Sequence, residues 1–289
     1  MFVAGLAFGS FLNVCISRIP CDLSIVSPRS FCPRCRASIL WRDNIPLLSW
    51  IMLRGRCRKC GLPISPRYPM VEFMTAVVFA VCYTSFGFTW LTVKFCVFCF
   101  LVVGLIFMDA ETGLLPHEFT YPGIVLGLMF AWIVPAEASG TASLLDACGL
   151  RGIAPGPELS VFDSAIGALL GAGFFYLAWA LYYLARRRHG MGFGDIALIA
   201  MIGAFLGLKS TVLVIFCAPI MATLFAVVML AVNPKRSLGL TASDRPSNSS
   251  PIKTLLGREV PFGVFLGTSS LVALFFGGQI WKWYLGLFR

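Results

Sequence analysis

Two aspartates in this 289-residue chain stand where a carboxylate is expensive. Asp109 opens "DAETGLLPHEFTYP" at the end of one apolar run, and Asp195 closes "GMGFGD" at the start of another. Acidic groups at a membrane boundary are costly and are functional candidates unless they simply reach water. As a pair they imply more. Two carboxylates brought close cannot readily both ionise, so they hold one shared proton. One then activates a water, the other polarises a scissile carbonyl, and the roles exchange. Such hydrolysis needs no nucleophilic serine or cysteine and no metal-bound water. Gly190, Gly192 and Gly194 remove side chains ahead of Asp195, so that an extended substrate backbone can come close. The bland alternative is a flexible turn after Arg186, Arg187 and Arg188.

A second set of residues points to metal. "CPRC" and "CRKC" supply Cys32, Cys35, Cys57 and Cys60, two C-x-x-C pairs with 21 residues between them. Each pair can grip one ion from a tight turn, and two such turns complete a tetrahedral thiolate shell of the zinc-ribbon kind. A complete shell leaves no open position for water, so the expected role is structural, a staple for a loop too small to build its own core. The neighbouring Arg34, Arg36, Arg56, Arg58 and Lys59 offset thiolate charge and can face anionic lipid. Most other cysteines, Cys96 and Cys99 among them, fall in apolar runs and read as packing.

The elements that must position these groups are membrane helices. The chain is 58% hydrophobic and 12% charged, with a mean hydropathy of +0.85, more apolar than a soluble domain requires. Eight segments approach the length of a span: about 2–19, 70–90, 95–108, 119–135, 161–184, 195–208, 211–232 and 261–281. The first has no basic residue ahead of it and reads as a retained span rather than a cleaved signal peptide. The expected fold is all-α and polytopic, with about eight transmembrane helices and a small zinc-ribbon-like cytosolic loop after the first. Residues 1–69 form a first unit, the helix plus the four-cysteine loop; residues 70–289 form a second, catalytic unit. Stretches 136–160 and 234–260 read as irregular loops.

The net charge of +10 does not indicate nucleic acid, because its placement follows loop alternation. Of the 23 Lys and Arg, 18 fall in one alternate set of loops, which contains the cysteine loop. Lys94, Arg151, Lys209, Lys282 and Arg289 make up the other set. The positive-inside rule puts the first set in the cytosol and both termini outside. Asp109 and Asp195 then lie at similar depth on the cytosolic side of a multi-pass membrane protein.

Taken in order, "GLAFGSFLNVCISRIP", the two C-x-x-C pairs around "IPLLSW", "ISPRYPMVEF", "DAETGLLP", "GMGFGDIALIAMIGAFLG" and "REVPFGVFLG" resemble the bacterial type IV prepilin peptidases over residues 5 to 268. The resemblance implies an aspartic endopeptidase of the G-x-G-D type with Asp109 and Asp195 as its catalytic pair. It also implies cleavage of the short basic leader of type IV prepilins or pseudopilins, on the cytosolic side, after a glycine. Many members then methylate the new N-terminus with S-adenosylmethionine; no glycine-rich βα motif for that cofactor occurs here. Three positions depart from the family pattern: Ala197 replaces a usual lysine, His117 replaces the aspartate of "LPD", and Val264 replaces the second proline of "PFGPFL". His117 and His189 read as solvated boundary residues. Glu72, in the "YPxVE" pattern, either orients substrate or cofactor or snorkels to the interface.

Two other functions use the same aspartates. In a proton- or cation-coupled transporter they would be ion sites, although both lie on one face with no midplane charge. A presenilin-like G-x-G-D protease would carry a "YD" partner motif, whereas here the first aspartate sits in "MDAETGLLP".

Overall fold

The computed structural model describes residues 1–27, 30–32, 34–135, 156–187, 192–232 and 261–287. They form an all-α membrane bundle: α1 Phe2–Arg18, a short α2 Leu48–Met52, α3 Arg67–Phe86, α4 Trp90–Thr112, α5 His117–Ile133, α6 Pro157–Arg186, α7 Phe193–Val232 and α8 Phe262–Gly286. Among the described residues the only β features are two isolated bridges, both in the cysteine loop. The loops expected at 136–155 and 234–260, and His189, lie outside the described residues. Residues 157–160, expected to be irregular, are helical, because Pro157 opens α6 at a position where its missing N–H costs nothing.

Six helices are long and apolar enough to cross a membrane, against the eight segments read from the sequence. The difference arises at two places. α5 is only 17 residues long. Segments 195–208 and 211–232 belong to one stretch of 40 residues that leaves helical geometry at Gly207, where φ is 76° and ψ is −179°. The chain turns back there: Phe225 packs against Phe265, while Lys209 lies over the Trp281 ring. Ile199, before the turn, and Thr211, after it, both meet Gly171 of α6.

α4 runs through the centre, touching α1, α3, α5, α7 and α8, and it is longer than its 95–108 core suggested. Thr89 caps its start by accepting from the Thr92 N–H. Lys94, grouped by sequence with the outside loops, is therefore buried within α4 and interacts electrostatically with the buried Asp163 of α6. Asp163 Oδ2 in turn accepts from Leu208 N at 3.3 Å, just past the Gly207 turn. Buried charge is thus not confined to the end that carries Asp109 and Asp195. Around this framework Phe98, Leu105, Met108, Leu198, Met201, Ile202, Phe205 and Leu266 form the core. α1 and α3 approach closely because Gly5 and Gly9 face Ala76 and Glu72 backbone, leaving no room for a β-carbon at either glycine.

Candidate active site and metal centre

Asp109 lies in the last turn of α4. Gly113 ends that helix in the left-handed conformation, φ 66°, and returns its N–H to Asp109 O at 2.9 Å. "LLP" then carries the chain into α5, and Leu115 of this turn packs against both Gly194 and Gly263. Those contacts gather the start of α7, the start of α8 and the end of α4 at one place. Asp195, the third residue of α7, is 8% exposed and Asp109 5% exposed. The two carboxylates, 86 residues apart in sequence, interact electrostatically in the fold.

Asp109 is oriented by α8. Its Oδ2 accepts the Val264 N–H at 2.9 Å, with the Gly263 N–H as a further donor. These N–H groups belong to the first turn of a helix, where no intrahelical acceptor exists and a carboxylate is favoured. Gly263 is needed for the approach, since a β-carbon there would stand 2.8 Å from Asp109 Oδ2. Asp195 is steadied by its own turn: its N–H reaches Gly192 O at 3.3 Å, and its carboxylate accepts from the Gly192 backbone. Gly190 and Met191 of "GMGFGD" lie outside the described residues. The two groups are buried, interact electrostatically and are held by backbone donors.

The residues that depart from the family pattern have distinct places. Ala197 is buried in α7, and His117 is exposed, stacking on Tyr121 at 4.6 Å. Val264 matters more: proline has no N–H, so this valine supplies Asp109 with a hydrogen bond that the usual residue could not make. Sequence reasoning missed the α8 donors, although the Pro261-Phe262-Gly263 start is a legible helix N-terminus. It also missed two ties beside the site. Arg67 of α3 pairs with Glu111 of α4. Glu72 is buried rather than snorkelling: it is 8% exposed, and its Oε2 accepts from Leu47 N at 2.8 Å.

The four cysteines of the polar loop converge, their Sγ atoms all within 4.8 Å of one another. The two knuckles repeat each other bond for bond. Cys32 N donates to Ala37 O and Arg36 N to Cys32 O; Cys57 N donates to Leu62 O and Gly61 N to Cys57 O. Bridges Phe31 to Ser38 and Arg56 to Pro63 close the two turns. Arg36 and Gly61 hold the same position in each, with φ of 54° and 69°. Tetrahedral thiolates about 2.3 Å from one ion stand about 3.8 Å apart, and Cys32 Sγ lies 4.0 Å from Cys60 Sγ. The set is therefore placed to hold a metal ion. The Cys60 and Lys59 backbone N–H groups pull the Cys57 thiol down to about 6, which supplies thiolate at neutral pH. Nearby, Arg58 grips Asp43 through two hydrogen bonds of 2.8 and 2.7 Å and holds its carboxyl below the usual range. Cys96 and Cys99 are buried in the core as expected, with Cys82 Sγ 3.8 Å from Cys99 Sγ.

Comparison with known proteins agrees with this geometry. Residues 3–86 match the Bacterial Peptidase A24 N-terminal domain, and residues 95–227 match the Type IV leader peptidase family. A prepilin leader peptidase/N-methyltransferase of Myxococcus xanthus is 36% identical over 256 residues, covering 88% of this chain and 70% of that protein. Its namesake in Aeromonas hydrophila is 31% identical over 99% of this chain and 92% of its own length. That of Klebsiella pneumoniae is 36% identical over 72% of this chain. No solved structure matches the chain. The ordered motifs, the paired aspartates and these relatives converge on one conclusion: the chain belongs to the type IV leader peptidase family.

Proposed function

We propose that this protein cuts the leader from type IV prepilins or pseudopilins after a glycine, with Asp109 and Asp195 as its catalytic pair, at the cytosolic face of the inner membrane. The observation that carries the proposal is the meeting of these two buried carboxylates, one of them oriented by the first turn of α8. The ionised member of the pair takes a proton from water as its oxygen attacks the scissile carbonyl. The protonated member hydrogen-bonds the carbonyl oxygen as charge develops on it. Collapse of the tetrahedral intermediate breaks the C–N bond, a carboxyl proton passes to the leaving amine, and the pair returns to sharing one proton. Residues 70–289 form the catalytic unit, and residues 1–69 contribute the first helix and the stapled loop.

Zinc is the metal assigned to Cys32, Cys35, Cys57 and Cys60. It supplies a structural cross-link between the two knuckles, and no step of the hydrolysis passes through it. The relatives' second printed activity supports methylation of the freed amine, for which S-adenosylmethionine is the donor implied by the family resemblance. Among the described residues no side-chain set is assigned to that donor. The partners are the pilin-type substrates and membrane lipid, not nucleic acid.

The test is leader cleavage of a co-expressed prepilin, read by gel shift and N-terminal mass spectrometry. Wild type should cut after glycine. Asp109→Asn and Asp195→Asn should each lower the rate by at least about 10²-fold, the usual minimum for a positioned acid or base. Undiminished cleavage by either variant, stably inserted, would refute the pair. The mass of the new N-terminus reports methylation.

A further inference from the structure

The metal-stapled insert begins and ends at membrane helices, yet part of it does not remain above the membrane boundary. Asn44 and Pro46 face Ala7, Ser10, Phe11 and Val14 of α1 across a shallow groove. Ser10 lies about 12 Å along α1 from Arg18, at 1.5 Å per residue. Leu47 is tied to Glu72, in the second turn of the α3 span, and the Ser10 side chain bonds the same carboxylate. The segment "NIPLLSWIM" thus lies beside α1 and α3, along stretches that are long and apolar enough to cross a membrane.

Backbone in that setting must satisfy its own polar groups. It does so here. Ile45 N donates to Ser49 Oγ at 3.1 Å, Pro46 has no N–H, and Leu47 N donates to Glu72 Oε2. Leu48 N donates to Pro46 O and Ser49 N to Ile45 O, while Ser49 Oγ donates to Arg42 O at 2.9 Å. The buried Glu72 thus meets the N–H of Leu47, whose φ of 59° turns the chain.

The outward side is apolar. Leu48, Ile51 and Met52, at i, i+3 and i+4 of α2, are 50, 64 and 73% exposed, whereas Trp50 turns inward against Gly55. α1 and α3 likewise expose large apolar side chains, Phe8 and Phe11 of the one and Met70, Phe73 and Met74 of the other. Trp41, 82% exposed, and the exposed Arg42 and Arg54 flank the segment in sequence, the aromatic and basic composition of a headgroup interface.

We propose that residues 44–52 are a re-entrant element seated in the leaflet on the insert's side, with Leu48, Ile51 and Met52 on lipid acyl chains and Arg42 and Arg54 at anionic headgroups. The insert is then fixed to the membrane surface at two helix ends and at this third point.

The test uses the wild-type protein in nanodiscs of phosphatidylethanolamine and phosphatidylglycerol. An apolar diazirine that partitions into the hydrocarbon is photolysed, and labelled residues are mapped by mass spectrometry. Leu48, Ile51 and Met52 should label as strongly as Phe73 and Met74, and several-fold above Leu62, which is exposed on the second cysteine knuckle. Labelling no higher than at Leu62 would overturn the proposal. So would labelling that disappears when a prepilin-type apolar peptide is added, which would give the stripe to the substrate, or when protein density in the disc is raised, which would give it to a second copy. Peptidase activity does not enter the measurement.

Discussion

At the scale of single residues, the proposed catalytic pair is held by backbone donors that only the fold supplies. Asp109 and Asp195 were legible from their residue type and position, because a carboxylate at the end of an apolar run is rare without a use. The donor at Val264 was not, since an N–H carries no side-chain signature. A charge-assisted hydrogen bond contributes about 1.5–3 kcal/mol, but the Gly263 N–H remains as a donor to Asp109 and the family pattern itself carries proline at this position. Proline is tolerated in the first turn of a helix, so Val264→Pro should leave α8 intact and lower cleavage by less than about tenfold. Val264→Ala keeps the N–H and should cleave at close to the wild-type rate. Steady-state kinetics on a purified prepilin separates the two; equal rates for the proline and alanine variants would remove the donor's role.

At the scale of elements, each turn is fixed by a small number of local requirements. The cysteine knuckles need metal because their shared interior is four thiols rather than a core, and Cys32 is the most buried of the four. Cys57→Ser should abolish the bound zinc and make the 32–62 loop sensitive to protease, measured by metal stoichiometry and limited proteolysis. Acid should have the same effect. Metal binding requires deprotonated thiols, so protons compete with zinc for all four cysteines. Zinc release followed with a chromogenic chelator should rise as pH falls; a metal content independent of pH down to full protonation of thiolates would contradict the assignment. The α7 turn has a different requirement. Gly207 takes a φ of 76° and faces Asp163 Oδ2, with which any β-carbon would collide. Left-handed backbone alone costs an L-residue about 1–2 kcal/mol, so Gly207→Ala should lower the thermal midpoint in detergent, read by tryptophan fluorescence.

At the scale of the whole molecule, the spans place both aspartates, the starts of α7 and α8, and the cysteine insert at one end of the bundle. Lys94, Asp163 and the Gly207 turn occupy the other. The proposed cytosolic face is the first end, the one favoured by the Lys and Arg bias. Alkaline phosphatase fused after Phe88, in the short α3 to α4 connection, should therefore be active outside the cell membrane, and the same fusion after Gly113 inactive. The reverse pattern would invert the topology and remove the cytosolic leader as substrate.

Composition, apolar run length and the C-x-x-C spacing determined by themselves that this is a polytopic helical protein with a four-thiol loop and two boundary aspartates. Those properties are local: hydropathy follows from side-chain chemistry, and a knuckle closes within six residues. Three matters depended on tertiary structure because they join residues remote in sequence. Asp109 meets Asp195 only through the packing of Leu115 between Gly194 and Gly263. Lys94 is buried rather than exposed because Thr89 starts α4 a turn early and Asp163 is positioned to receive its charge. Glu72, ambiguous as a lone acid near a helix start, is assigned by the Leu47 N–H that it accepts. A buried polar group takes its role from its partner, and partners separated by tens of residues are set by how the helices pack.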